Sequence, residues 1–182
     1  MRSVLTVVGG LPATGKSTIA AIVAEQTSTP YLRVDRIEQA IVDWSPLEHP
    51  VGPVGYAVAH AVAREQLQLG QDVIVECVNP GALTRDAWTA TAAAAGAGLV
   101  DVEITCPDLT EHRRRVESRP TDVHGLTKPD WEAVVTREYE PWSRPHLTID
   151  STTTLPPVAA RLIAEAVEAV RTDDRSVRSV RS

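Results

Sequence analysis

Phenylalanine is absent from this chain of 182 residues, and aromatic residues make up only 4% of it. The core must therefore be built from valine, isoleucine, leucine and alanine. The four tryptophans, Trp44, Trp88, Trp131 and Trp142, lie outside the predicted strands and read as half-buried packing, with Trp44 also a candidate pocket wall. Cysteine occurs only at Cys77 and Cys106, which excludes a disulfide framework and suits a reducing compartment. Both are expected at the ends of strands flanking the first strand, too far apart to bond. No apolar run is long enough to span a bilayer. Met1-Arg2 leads straight into an apolar segment, so no signal peptide is expected and the cytoplasm is the expected location. Lysine is rare and the net charge is −6. That excludes a general electrostatic pull toward nucleic acid, and no basic stripe interleaved with aromatics compensates. The histidines are scattered without metal-ligand spacing, and His60, among small residues, reads as packing. There is no zinc set and no Ser-His-Asp signature.

What is present is concentrated near the N-terminus. Gly10-Leu11-Pro12-Ala13-Thr14-Gly15-Lys16-Ser17 matches the phosphate-loop pattern G-x-x-x-x-G-K-[ST] at every fixed position. An apolar β-branched run, Ser3–Val8, precedes it, and a helical run through Thr18 and Ile19 to Glu25 follows. Glycines let the backbone approach a polyphosphate and turn its amides inward, and the helix start adds partial positive charge. In this pattern Gly10, Ala13, Thr14, Gly15, Lys16, Ser17 and Thr18 form the nucleotide cradle. Lys16 reaches the β- and γ-phosphates, and the Ser17 hydroxyl is a ligand for Mg²⁺.

Strand and helix patterns alternate along the whole chain. Strands are predicted at Val4–Val8, Pro30–Val34, Asp72–Cys77, Leu99–Thr105 and His146–Ile149. Helices are predicted at Lys16–Gln26, Asp35–Asp43, Gly55–Leu69, Leu83–Ala95, Leu109–Arg119, Asp130–Tyr139 and Pro156–Arg171. In the third of these, Val58, Val62 and Leu67 are the expected inward residues. Turn chemistry, rich in proline and glycine, makes Trp44–Val54 a loop. Val73-Ile74-Val75 is apolar on both faces, as a central parallel strand requires. The pattern gives an α/β fold, a parallel sheet covered by helices on both faces. One domain is expected over residues 1–171, with a lid at about 113–129 and a flexible tail at 172–182.

Ligands in such sheets bind beyond the carboxyl ends of the strands. At the second strand exit, Asp35 is the candidate catalytic base or orienter of an acceptor hydroxyl. Asp35-x-x-Glu38 also reads as a capping box for the next helix. Arg36 beside it is a candidate for an anionic substrate. Glu76 ends the most apolar strand and is a candidate for Mg²⁺ or for polarising the nucleophile, although aspartate is the usual acid there. Asn79 is a candidate substrate contact, and Asn79-Pro80-Gly81 is equally a turn. The acceptor pocket is expected between Asp35–Val54 and Asn79–Leu83. In the arginine-rich segment after the fourth strand, Arg115 and Arg119 are one helical turn apart and are candidate catalytic contacts to the transferring phosphoryl group. Arg113 or Arg114 is a candidate to stack on adenine. The mobile-looking stretch Pro120–Pro129 suits a hinged lid that excludes water.

With these residues in hand, the chain resembles the small P-loop kinases of the AAA-type ATP-binding group. That group includes gluconate, shikimate and adenylylsulfate kinases, chloramphenicol phosphotransferase and the polynucleotide 5′-kinase domain. The resemblance rests on the phosphate loop through Thr18, on Val34-Asp35-Arg36-Ile37, on Val73-Ile74-Val75-Glu76, on the arginine segment, and on the closing stretch Tyr139-Glu140-Pro141-Trp142 to Leu147–Ser151. It implies a P-loop NTPase three-layer α/β/α sandwich with five parallel strands ordered 2-3-1-4-5. It also implies Mg·ATP as donor, Asp35 as base or orienter, a lid between the fourth and fifth strands, and backbone near Asp150, Ser151 and Thr152 bordering adenine. The chain is too short for a ring-forming AAA module. The functions expected are a phosphotransferase acting on a hydroxyl of a small molecule, a nucleic-acid 5′-end kinase, or a nucleotide-dependent regulatory NTPase.

Overall fold

The computed structural model describes residues 2–120, 125 and 128–179, with side chains as far as Thr172. Its elements run β1 (Val4–Gly9), α1 (Lys16–Thr27), β2 (Tyr31–Arg33), α2 (Val34–Trp44), α3 (Val54–Gln68), β3 (Val73–Glu76), α4 (Ala82–Ala94), β4 (Gly98–Thr105), α5 (Leu109–Ser118), α6 (Trp131–Val135), β5 (Leu147–Asp150) and α7 (Pro156–Ser179). The strands form one sheet ordered β2-β3-β1-β4-β5, with every pairing parallel. This is the P-loop NTPase order anticipated above.

The central strand β1 is buried along its length. Its side chains alternate between two cores. Val4 and Val8 pack with Ile19, Val23, Ile104 and Ile163 on the face covered by α1 and α7. Leu5 and Val7 pack with Ala59, Ala63, Leu67 and Trp88 on the face covered by α3 and α4. A period of two along the strand thus feeds both outer layers. Pairing of Val8 with Glu76 in β3, and of Gly9 with Glu103 in β4, brings three strand ends to one edge.

Three expectations need correction. The inward face of α3 is Gly55, Ala59, Ala63 and Leu67 rather than Val58 and Val62. Val58 is exposed, because small residues let α3 approach α2 and the sheet closely. Trp88 is wholly buried rather than half-buried, and Trp44 points into solvent, 90% exposed, instead of walling a pocket. The helix expected at Asp130–Tyr139 ends at Val135. The chain beyond it is drawn out to pair with the 79–81 turn: Glu140 N donates to the Pro80 carbonyl at 2.8 Å, and Pro141 disfavours helix at the residue before it. Apart from these corrections, α7 runs beyond the expected Arg171 as far as Ser179, into the stretch expected as a tail. No glycine or proline follows Pro157, and Arg171 ties the helix to Glu168 and to Asp72.

Candidate active site

The phosphate loop connects β1 to α1 at the middle of the sheet. Gly10 has φ 139°, and a Cβ there would collide with the Ile104 carbonyl oxygen. Only glycine lets the loop leave β1 so close to β4. Ala13 (φ 63°) and Gly15 (φ 98°) are left-handed and turn the following amides toward the loop mouth. No side chain caps α1, so the positive end of a 12-residue helix opens there. Thr14 is buried, its hydroxyl donating to the Leu11 carbonyl at 3.0 Å. Lys16 Nζ donates to the same carbonyl at 2.7 Å, folded back over its own loop. Burial lowers the Lys16 pKa, with Glu76 opposing the shift.

Ser17 Oγ donates to Glu76 Oε1 at 2.6 Å. The other Glu76 oxygen accepts from the Tyr31 hydroxyl, and Arg33 Nε lies 3.5 Å away. Burial and the Glu76 charge push the Tyr31 hydroxyl upward, so it stays protonated and donates. The two sequence candidates for magnesium are therefore adjacent. Tyr31, which holds Glu76 in place, was not foreseen; it lies in β2 two residues before Arg33, and pairing of Tyr31 with Ile74 in β3 sets it beside Glu76.

Asp35 is not a cap. Arg33 occupies the N-cap position with its backbone, and Asp35 lies in the first turn of α2. Arg33 grips both Asp35 oxygens, Nε at 3.1 Å and Nη2 at 2.6 Å. With no cap made by the side chain, the Asp35–Glu38 capping box does not form. Both carboxylates instead face a cavity of about 730 Å³.

That cavity joins the loop to three walls. Ala13, Gly15, Lys16, Ser17 and Thr18 form its floor, and Asp35, Glu38, Tyr56, Val78 and Pro80 form the side beyond β2 and β3. Arg115, Arg119, Lys128 and Arg137 close the rest. Arg115 donates to Ser151 Oγ at 2.9 Å and to its carbonyl at 3.0 Å, which fastens α5 to the end of β5. It also binds Glu111, whose carboxyl Arg114 and Arg115 hold down at about 2. His112, three residues before Arg115 in α5, is buried, donates Nε2 to the Pro12 carbonyl at 2.8 Å and meets Trp131 edge-on. The arginine helix is thus bonded to the phosphate loop itself, a link the scattered histidines gave no sign of.

Other candidates stand apart from the cavity. Arg36 borders a separate shallow hollow with Tyr31, Ile37 and Ala40. Arg113 is exposed and paired with Glu117 at 2.8 Å. Asp150 accepts from Thr152 N at 2.8 Å and from the hydroxyls of Thr152 and Thr153; these bonds hold its carboxyl below the usual range and close a turn. Asn79 is wholly buried with φ 53°, and its side-chain amide makes no hydrogen bond among the described residues. It does not itself line the cavity, although its neighbours Val78 and Pro80 do. The loop expected to wall the acceptor pocket contributes no lining residue from 45–53. Cys77 and Cys106 are both buried and free, as expected. Burial pushes the Cys77 thiol up to about 12. The lid expected at 113–129 falls partly on 121–124 and 126–127, which lie outside the described residues.

One further residue organises the edge. Arg85 of α4 is buried and donates to the carbonyls of Asn79, Pro80, Glu140 and Pro141, at 3.2, 3.2, 2.7 and 3.1 Å. Its guanidinium lies 4.2 Å from the centre of the Trp142 ring. A single arginine in an alanine- and threonine-rich helix gave no pattern by which to find it.

Fold and site together define a phosphate-loop NTPase of the small kinase architecture. The chain belongs to the AAA domain family AAA_33, which matches residues 5–134. No curated protein matches its sequence. Among solved structures, a Chloroflexus aurantiacus protein assigned as a kinase superposes with TM-score 0.75 and 22% identity, covering 93% of this chain and 98% of that one. The Mycobacterium tuberculosis APS kinase CysC, in complex with AMPPNP and APS, gives TM-score 0.70 and 19% identity, covering 92% and 98%. A gluconokinase from Sinorhizobium meliloti gives TM-score 0.61 and 18% identity, covering 94% and 97%. At these identities the likeness establishes the fold. No helix among the described residues is long and apolar enough to cross a membrane.

Proposed function

We propose that this protein is an ATP-dependent phosphotransferase that moves the γ-phosphoryl group of ATP to a hydroxyl of a small metabolite or natural product. The observation that carries the reading is that one cavity holds both the phosphate loop with Lys16 and, across it, the carboxylate of Asp35. Residues 1–171 act as the kinase domain, with 113–129 as its lid, and the cytoplasm is its place of work.

The triphosphate lies along the amides of Gly15–Thr18, with Lys16 released from the Leu11 carbonyl to meet the terminal phosphates. Arg115 and Arg119 face the same space and neutralise charge on the transferring group. Adenine lies toward β5, near Ser151. Ser17 and Glu76 fit Mg²⁺: a hydroxyl and a carboxylate, already 2.6 Å apart, offer two hard oxygens. The described residues contain no group of three or more His, Cys, Asp and Glu side chains suited to a resident metal. That suits an ion which arrives with the nucleotide and keeps water and phosphate oxygens as its other ligands. Bound there, it supplies charge neutralisation between the phosphates.

The acceptor enters on the β2–β3 side, where Asp35 orients its hydroxyl and takes the proton. Arg33 fixes the carboxylate for that task and leaves a lone pair on each oxygen. A nucleic-acid end kinase fits less well, because the net charge is −6. The test is a metabolite-library screen for ADP release with ATP and Mg²⁺. The reading expects a hydroxylated small molecule to raise turnover well above the basal rate. A high basal ATPase that no such compound stimulates would favour a regulatory NTPase instead.

A further inference from the structure

Glu38 lies one turn beyond Asp35 on the cavity-facing side of α2, and it is half-buried. Its stem crosses Gly55 of α3. A Cβ on Gly55 would overlap the Glu38 Cγ and come within 3.1 Å of its Oε1. A buried glycine in the first turn of α3 therefore makes the space in which this carboxylate reaches the cavity. Among the described residues no hydrogen bond reaches Glu38. Burial raises its pKa, and the Asp35 charge adds to that shift, while His49 and Arg137 oppose it. Beside it, Tyr56 presents an aromatic wall braced on Trp88, their ring centres 6.4 Å apart.

The cations around this end of the cavity have other duties. Arg33 is committed to Asp35 and neighbours Glu76. Lys128 Nζ donates to the Arg119 carbonyl, and Arg115 is held by Glu111 and Ser151. Lys16 and Arg119 flank the phosphate loop, where the Arg119 charge is felt by Lys16. Arg137 is exposed at the rim and faces Glu38. An anionic group on the acceptor would have to contend with Glu38 for Arg137 and would lie against Asp35 as well. A carboxylate accepts and never donates, so what Glu38 lacks is donors.

We infer that the acceptor is a non-anionic compound rich in donors, a polyol or an aminated alcohol, whose hydroxyl or ammonium groups bond to Glu38 and lie along Tyr56 while the reacting hydroxyl meets Asp35. This rests on the phosphotransferase reading above and narrows it. Glu38 selects by charge: an ammonium gains a desolvated ion pair, a neutral hydroxyl gains a charge-assisted hydrogen bond, and a carboxylate or phosphate is repelled.

The test uses the full chain with Mg·ATP and a panel of matched small alcohols in four sets: aminated, neutral polyhydroxylated, carboxylated and phosphorylated. Acceptor-dependent ADP release and binding of a fluorescent ATP analogue are both measured. Turnover is expected in the first two sets only. Glu38→Gln is expected to raise the acceptor KM about tenfold, more for the aminated set than for the neutral one, with the affinity for the ATP analogue within about twofold of the native protein. Gly55→Ala, which crowds the same carboxylate, is expected to reproduce the KM effect, with its thermal midpoint reporting that the fold is intact. The inference is overturned if the best acceptor is carboxylated or phosphorylated, if no aminated or neutral alcohol is turned over while the ATP analogue binds, or if Glu38→Gln leaves the KM ratio between sets unchanged. Failure of the native protein to bind the ATP analogue would instead count against the phosphotransferase reading beneath it.

Discussion

Ser17 and Glu76 stand 59 residues apart in the chain and share a hydrogen bond of 2.6 Å. One opens α1 and the other ends β3, and the pairing of β1 with β3 brings those ends together. The contact gives the proposed metal position its two protein oxygens before any nucleotide arrives. Glu76→Gln keeps the shape and removes the charge. It is expected to raise the Mg²⁺ concentration needed for half-maximal turnover by about tenfold to a hundredfold. A titration of rate against free Mg²⁺ checks this, and an unchanged midpoint would place the metal elsewhere.

Asp35 is expected to act on the acceptor and not on the nucleotide. Asp35→Asn should lower kcat by about 10²- to 10⁴-fold, the usual worth of a positioned base, while ATP affinity stays near the native value. Steady-state kinetics with any acceptor found by the screen, together with direct ATP binding, separates the two effects. Loss of ATP binding with an intact rate at saturation would reverse the assignment.

Arg85 is expected to matter for stability. It reaches four carbonyls from a buried position and lies against Trp142. Arg85→Ala strands those carbonyls without a donor. The cost is expected to be about 3 kcal/mol or more in unfolding free energy, read from urea denaturation. Arg85→Lys, which cannot fork to four acceptors, should recover only part of it.

His60 makes stability depend on acidity. It lies against Trp88, ring centres 3.7 Å apart, with Nδ1 2.8 Å from the Thr91 hydroxyl. Burial lowers its pKa from the ordinary 6.5, so the folded protein holds it neutral while the unfolded chain takes up a proton more readily. Its contribution is present above about pH 6.5 and is lost as the pH falls through the lower folded value. His60→Gln is expected to weaken that acid-side loss. Unfolding free energies of both proteins across pH 5–8 are the check, at roughly the linkage slope of one proton, about 1.4 kcal/mol per pH unit at most. Parallel curves would show that His60 does not titrate on unfolding.

Much of this architecture was legible in the residues. The phosphate loop is a local motif with fixed spacing, and apolar runs of period two alternating with helical patterns sufficed for five parallel strands and their order through the resemblance they carry. The site was legible where a residue sits at a strand exit, as Lys16, Ser17, Asp35 and Glu76 do. It was opaque where tertiary contacts decide. Asp35 reads as a cap until Arg33 is seen to take both its oxygens. Trp44 reads as a wall until α2 turns it outward. Glu38 offered a usable signal that its capping pattern obscured: three residues after Asp35, it shares the same helix face. Gly55, which makes room for it, lies in a helix where nothing local marks a glycine as spacing for a side chain of another element.

The most direct measurement is the calorimetric titration of ATP, with Mg²⁺, into the native protein and into Lys16→Ala. One nucleotide per chain is expected for the native protein, with affinity lost by about a hundredfold or more when the lysine is removed, in line with two or more charge-assisted hydrogen bonds to the terminal phosphates. Equal affinity in the two proteins, or no binding to either, would contradict the claim that the loop from Gly10 to Ser17 is where the triphosphate is held.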